Sequence, residues 1–169
     1  MNMSSDTYGK LRYADIKDCD MVNGKGVRVS LYVTGCSHAC DGCFNASLLN
    51  PKNGEPFTDD TMGLILDLLR PDFIHGLTFL GGDPLYKRNL KGVQRIIDEV
   101  KSWMPNKDIW LWSGYTLDQL NDEQRKIVES VDMFIDGRYI KDMPTKKPWR
   151  GSDNQVQYKI VNSIPVKII

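Results

Sequence analysis

The sequence predicts an α/β fold built on parallel strands, and three observations carry that expectation. Short apolar, β-branched runs alternate with stretches of helical periodicity; each run ends in a glycine-containing turn, at Gly35, Gly81, Gly114 and Gly137; and no segment rich in Ser, Gly or Pro divides the chain. Strands that alternate with helices pair in parallel through crossover connections, and such sheets hold their ligands outside the carboxyl ends of the strands. A chain of 169 residues is long enough for one well-buried core and short for two. Residues 1–169 are therefore expected to form a single domain, with 1–12 and 156–169 as peripheral termini.

The elements follow in order. Val27 to Val33 reads as a strand that runs directly into a cysteine-rich loop beginning at Gly35. Thr58 is a candidate N-cap, with Asp59 and Asp60 where carboxylates suit the helix dipole. Met62, Ile65, Leu66 and Leu69 then fall on one helical face, and Pro71 lies just beyond. Gly76 to Leu80 reads as a second strand ending at Gly81-Gly82, followed by the helical stripe Val93, Ile96, Ile97 and Val100. Ile109 to Trp112 is a third strand, with Thr116 and Gln119 after it at capping-box spacing. Val131 to Ile135 is a fourth, ending at Asp136-Gly137. Partial alternation at Val156, Tyr158 and Ile160, with Pro165 near the end, fits a terminal edge strand or a docked tail. Phe79, Trp110 and Phe134 sit inside apolar strands and are expected to fill the core.

Lys plus Arg equals Asp plus Glu, at 22 each, so no overall field draws the protein to nucleic acid or acidic lipid. No apolar run approaches the roughly 20 residues that cross a bilayer, and the polar stretch Met1 to Lys10 lacks an apolar core. A cytosolic protein with no nucleic-acid or membrane partner is expected. In a reducing compartment structural disulfides are rare, and clustered thiols become metal or redox candidates.

Three of the four cysteines lie in Cys36-Ser37-His38-Ala39-Cys40-Asp41-Gly42-Cys43, a C-x3-C-x2-C spacing that lets three thiolates converge from one loop. Iron-sulfur clusters normally use four cysteines, so a set of three leaves one iron of a 4Fe-4S cube without a protein ligand. An open iron can bind a substrate. If that substrate is S-adenosylmethionine, its amino and carboxylate groups can chelate the iron, and one electron from the cluster breaks a carbon-sulfur bond to give a 5′-deoxyadenosyl radical. Such chemistry belongs to the cofactor, and no catalytic residue beyond the cluster and its substrate is required. The competing reading is a structural zinc site, for which His38 or Cys19 would supply a fourth ligand. His38 lies awkwardly between two ligands, and Cys19, in Lys17-Asp18-Cys19-Asp20, reads as part of a surface loop. No function is expected for Cys19 or His75.

The other loop ends are candidates by position. Paired glycines in Gly81-Gly82-Asp83-Pro84 let backbone amides approach a ligand closely. Ser113 is placed to hydrogen-bond a ribose or carboxylate, and Asp136 either to bind ligand or to cap its turn. Trp149 to Gln155 is a dense polar segment suited to a surface loop or a recognition role.

Together these residues resemble the radical S-adenosylmethionine superfamily, and more closely the activating proteins of anaerobic ribonucleoside-triphosphate reductases. The resemblance rests on Val22-Asn23-Gly24 with Gly26 and Arg28, on Cys36 to Asn45, Gly54-Glu55-Pro56-Phe57, Gly81 to Leu85, Asp108 to Tyr115, Asp136-Gly137-Arg138-Tyr139 and Trp149 to Gln155. It implies a partial, open (βα) barrel of radical S-adenosylmethionine type. It implies that Cys36, Cys40 and Cys43 ligate a 4Fe-4S cluster, that Gly42 and Phe44, beside Cys43, lie against the adenine end of the cofactor, and that Gly81-Gly82 binds the methionine amine; Cys43, Asp83 and Ser113 stand with these as candidate cofactor contacts. Gly42 stands where the wider superfamily carries an aromatic residue, and Phe44 follows Cys43 instead. The implied activity is hydrogen abstraction from a glycine on the large subunit of the reductase, with electrons from flavodoxin or a similar carrier. The alternatives are activation of another glycyl-radical enzyme of the formate-lyase type, a small radical enzyme acting on a metabolite, and a zinc-stabilised interaction domain.

Overall fold

The computed structural model describes residues 7–38 and 46–168. The described residues build one mixed sheet of eight strands around three helices. In chain order the elements are β1 (Arg12–Asp20), β2 (Val27–Val33), β3 (Glu55–Pro56), α1 (Asp59–Leu69), β4 (Ile74–Gly81), α2 (Leu90–Trp103), β5 (Asp108–Trp112), α3 (Asp122–Ser130), β6 (Met133–Asp136), β7 (Val156–Val161) and β8 (Ile164–Ile168). The sheet order is β3-β1-β2-β4-β5-β6-β7-β8, and the sheet stays open, with β3 and β8 at its edges. No helix among the described residues is long and apolar enough to cross a membrane.

The central four strands, β2, β4, β5 and β6, pair in parallel, as the alternating pattern predicts. Each crossover advances one position in the same direction. Because such connections are right-handed, α1, α2 and α3 fall on one face of the sheet. That face is apolar: Val29, Leu31 and Val33 of β2, Leu77 and Phe79 of β4, Ile109 and Leu111 of β5, and Phe134 of β6 are fully buried. The helical stripes meet them through Ile65 and Leu69 of α1, Val93, Ile96, Ile97 and Val100 of α2, and Ile127 and Val128 of α3. Burying one such side chain stabilises the fold by about 2 kcal/mol. The predicted Thr58 cap is present, its hydroxyl accepting the Thr61 N–H, and Thr116 with Gln119 forms the second predicted box on a single 3-10 turn.

Strand alternation puts a different set on the opposite face. Register aligns Arg28 with Gly76 and Asp108, Ser30 with Thr78 and Trp110, and Tyr32 with Leu80. Trp110, expected as core filling, is buried on this second face beside the Arg28 guanidinium, 5.3 Å from its ring. Arg28 is itself fully buried. It pairs with Asp108 at 2.7 Å, and donates to Thr78 Oγ1 at 2.7 Å, Lys25 O at 3.0 Å and Leu77 O at 3.1 Å. Burial pulls its pKa down, and the Asp108 carboxylate opposes that pull.

Two stretches depart from expectation, and the tail bears out the terminal edge strand in β8 and adds β7 beside it. Lys17-Asp18-Cys19-Asp20 is the end of β1 rather than a surface loop: backbone pairing with β2 outweighs its polar composition, and a register shift between Lys17 and Asp20 takes up Cys19 at φ 53°. The tail forms a hairpin, β7 and β8, antiparallel across Asn162 and Ser163 at φ 51° and 63°, the double left-handed geometry of a type I′ turn. Near the amino end, Tyr8 and Leu11 are buried in the core, with the Tyr8 ring packed edge-on against Phe57.

Arg28→Ala removes a desolvated cation and three donated bonds, whereas Asp108 is partly exposed and regains water. The expected loss is about 3 kcal/mol of unfolding free energy, at the low end for a broken buried pair. Anaerobic urea unfolding measures it, and a change within 0.5 kcal/mol, about that of an ordinary surface substitution, contradicts the assignment.

Candidate functional site

The carboxyl ends of β2, β4 and β5 meet at one point because their turns are hydrogen-bonded to each other. Gly82 N–H donates to Val33 O at 2.8 Å and Asp83 N–H to Gly35 O at 2.7 Å, so the turn after β4 continues the parallel ladder onto the start of the cysteine loop. Asn89, buried at the start of α2, donates from Nδ2 to both Thr34 O and Asp83 O at 2.9 Å. A Cβ on Gly82 would lie 2.5 Å from Gly35 O and 2.8 Å from Leu48 O, both backbone atoms. Only glycine permits this approach.

The Asp83 carboxylate, almost wholly buried, gathers the neighbouring turns. Oδ1 accepts the Leu85 N–H at 2.8 Å. Oδ2 accepts the Ser113 hydroxyl and the Gly114 N–H, each at 3.0 Å, and lies 2.7 Å from His38 Nε2. Ser113 Oγ in turn accepts the Tyr115 N–H at 3.1 Å. Asp83 and Ser113 thus bind the turns to one another, a structural engagement that their candidacy as cofactor contacts did not include.

The cysteine loop is closed at its base, where Gly35 N–H donates to Leu48 O at 2.8 Å and Cys36 N–H to Leu49 O at 3.1 Å. Cys36 follows at the cavity wall, and its Sγ accepts the His38 N–H at 3.4 Å. Gly42, Cys40, Cys43 and Phe44 lie outside the described residues. Cys36 Sγ, a His38 ring nitrogen and an Asp83 oxygen lie within 4.8 Å of one another, a grouping able to hold a metal. His38 Nε2 and Asp83 Oδ2 are already engaged with each other, and Cys36 is the cysteine of this grouping that lines the cavity. Soft thiolate donors of this kind fit iron-sulfur clusters. Cys19 stands apart on β1, exposed, and His75 accepts the Val27 N–H through Nδ1.

These turns border a cavity of about 600 Å³ on the helix-free face of the sheet, within the size range of small-molecule sites. Gly81, Gly82, Ser113 and Cys36 line one end, and Trp149 with Arg150 lines another part of the wall. Trp149 has a positive φ of 59°; its carbonyl accepts the Trp112 indole N–H at 2.8 Å, and its ring packs edge-on to Trp110. Asp136 sits buried below, accepting the Leu117 and Val156 N–H groups; it serves the turn and the β7 pairing, and burial raises its pKa.

Sequence reasoning missed the β1 and β2 side of this cavity, which Lys17, Asp20, Asn23 and Tyr32 line. The available signal was the polar alternation Arg28, Ser30, Tyr32 within an otherwise apolar strand. Asp20 accepts from Ser30 Oγ at 2.6 Å, Asn23 Nδ2 at 2.7 Å and the Val22 N–H at 2.9 Å. Burial raises its pKa, but those donors outweigh burial and hold it below the ordinary carboxylate value.

The sequence matches a family model described as a 4Fe-4S single cluster domain over residues 22–158. Its relatives include the anaerobic ribonucleoside-triphosphate reductase-activating protein of Enterobacteria phage T4, 48% identical over 145 residues, covering 86% of this chain and 92% of the relative. The proteins of the same name from Salmonella typhimurium and Escherichia coli K12 are 38% and 37% identical over 155 residues, covering 89% of this chain and 99% of each relative.

Two outcomes are expected. Gly82→Ala forces apart the turns after β2 and β4 and lowers stability by about 2 kcal/mol, read by urea unfolding; an unchanged midpoint contradicts the packing. A depressed Asp20 pKa contributes stability above the unfolded-state pKa that is lost as pH falls through the folded-state value. Asp20→Asn should therefore flatten the acid limb of the stability curve below about pH 4. An acid limb identical to that of the parent protein contradicts it.

Proposed function

The chain belongs to the anaerobic ribonucleoside-triphosphate reductase-activating proteins, and from that premise we propose that it is an activating enzyme whose substrate is a glycine of the reductase large subunit. A 4Fe-4S cluster held by the loop cysteines would supply the one electron for reductive cleavage of S-adenosylmethionine, so that the net products would be methionine, 5′-deoxyadenosine and a glycyl radical on the partner.

Cys36, Cys40 and Cys43 hold the cluster in this reading. The amides of the Gly81-Gly82 turn receive the methionine end of the cofactor, and Gly42, Cys43 and Phe44 adjoin its adenine end. Asp83 and Ser113 act on the cofactor through the turns that they fix. One observation carries the reading: a thiol from the three-cysteine loop lies on a cavity of about 600 Å³ that the Gly-Gly turn also lines. A largely preformed site of this kind, with a few polar groups fixed at its rim, is what orientation of a reactive cofactor requires.

The finer architecture belongs to the same proposal. A sheet that advances in one direction, with all three helices on one face and the cavity on the other, supports a single domain forming a partial (βα) barrel of radical S-adenosylmethionine type. The chain is short, and the partner's glycine segment completes the site. Electrons come from a flavodoxin-like carrier in the cytosol.

Anaerobic reconstitution with reductant and S-adenosylmethionine should yield methionine and 5′-deoxyadenosine, with a glycyl signal in the reductase by electron paramagnetic resonance. Absence of both products with an intact cluster contradicts the activity. Cys40→Ala should abolish iron and sulfide binding while Cys19→Ala leaves it unchanged, and equal loss in the two variants overturns the ligand assignment.

A further inference from the structure

We propose that His38 is the positioning residue of the cysteine loop, a tether whose Nε2–H bond to Asp83 holds the spacer between Cys36 and Cys40 against the Gly-Gly-Asp turn. The proposal rests on the reading of Cys36, Cys40 and Cys43 as cluster ligands and adds a residue outside that set.

Position in the chain comes first. His38 is the central residue of the three-residue spacer, two positions from a cysteine on either side. A histidine there would ordinarily point to solvent, yet its side chain is 96% buried, with an exposure of 4%. The imidazole lies in a slot made by the turn after β5. A Cβ on Gly114 would fall 2.5 Å from His38 Cδ2 and 2.7 Å from Nε2, and the Tyr115 ring meets the imidazole edge-on at 4.5 Å.

Hydrogen bonding then fixes the ring. Asp83 Oδ2 already accepts from Ser113 and Gly114, so it faces His38 as an acceptor, and Nε2 carries the proton. Nδ1 is left with no partner among the described residues, although it is buried. An orphaned buried nitrogen is a cost, which the charge-assisted bond at Nε2 offsets. One carboxylate thereby joins the spacer to the turns after β4 and β5.

The consequence concerns order in the loop. Backbone bonds close its base at Gly35 and Cys36, and the exposed Ser37 hydroxyl lies 3.4 Å from that of Tyr115; among the described residues of the spacer, His38 supplies the buried side-chain anchor. Fixing a backbone residue costs roughly 1–2 kcal/mol, so a spacer ordered beforehand holds a cluster more tightly than one the cluster must order. The role belongs to Nε2, and two amides separate it from Nδ1: Gln places its amide nitrogen near the Nε2 position, Asn near that of Nδ1.

The test uses the anaerobically reconstituted protein and follows iron release to a ferrous chelator. His38→Leu should release iron about tenfold faster than the parent, as expected for loss of one hydrogen bond, and His38→Asn should match it. His38→Gln should restore release to within about threefold of the parent, and Gly114→Ala, which displaces the ring, should resemble His38→Leu. Parent-like release from His38→Leu overturns the tether, as does rescue by Asn with none by Gln, which makes Nδ1 the working atom. If His38→Leu fails to fold, the comparison of Gln with Asn decides by the same outcomes. Failure of the parent protein to take up a cluster overturns the ligand reading and the tether with it; normal uptake with unchanged release in the variants overturns the tether alone.

Discussion

The arrangement depends on one buried carboxylate. Asp83 accepts from the Leu85 and Gly114 amides, from the Ser113 hydroxyl and from His38, so the turns after β4 and β5 and the cysteine loop share a single acceptor. A carboxylate removed from water is costly unless its oxygens are satisfied, and here every bond that satisfies it also fixes the rim of the cavity. The Gly-Gly pair before it is needed for the same reason. Gly82 allows the β4 turn to lie directly on Gly35 and Leu48, at distances that a side chain would prevent.

Beneath this rim the two faces of the sheet divide the work. Val29, Leu31, Leu77, Phe79, Ile109 and Leu111 turn toward the helices and supply the hydrophobic term that drives folding. The residues that alternate with them along the same strands, among them Arg28, Tyr32, Thr78 and Trp110, form the other face. Arg28 is the extreme case, a fully buried guanidinium satisfied by Asp108, Thr78 and two carbonyls and packed against Trp110. Trp110 meets Trp149, so the ion pair beneath the sheet's second face also supports the segment that walls the cavity. An apolar replacement for that pair would keep the volume but lose the bonds that orient it.

Much of this was legible in the chain. The parallel strands, their helices and the glycine turns were readable because period and punctuation are local properties, and the three-cysteine spacing identified the loop that closes against Gly81-Gly82. What was illegible is long-range. The bonds to Asp83 come from His38, Ser113 and Gly114, 45, 30 and 31 positions away, so nothing beside Asp83 in sequence announces them. His38 reads as an awkward fourth ligand until its ring is seen on Asp83. β1 was hidden because its residues are polar and largely exposed, and only pairing with β2 makes it a strand. Trp110 reads as core from its apolar strand, and register alone reveals that it faces the other way.

In the proposed function the cluster is held by three protein thiolates, with one iron left open for the cofactor. Mössbauer spectroscopy of the iron-57 reconstituted protein, recorded with and without S-adenosylmethionine, tests that claim most directly. One iron of the four is expected to change its parameters when the cofactor is added, while the other three keep theirs. Four irons that stay indistinguishable and unresponsive to the cofactor would contradict it.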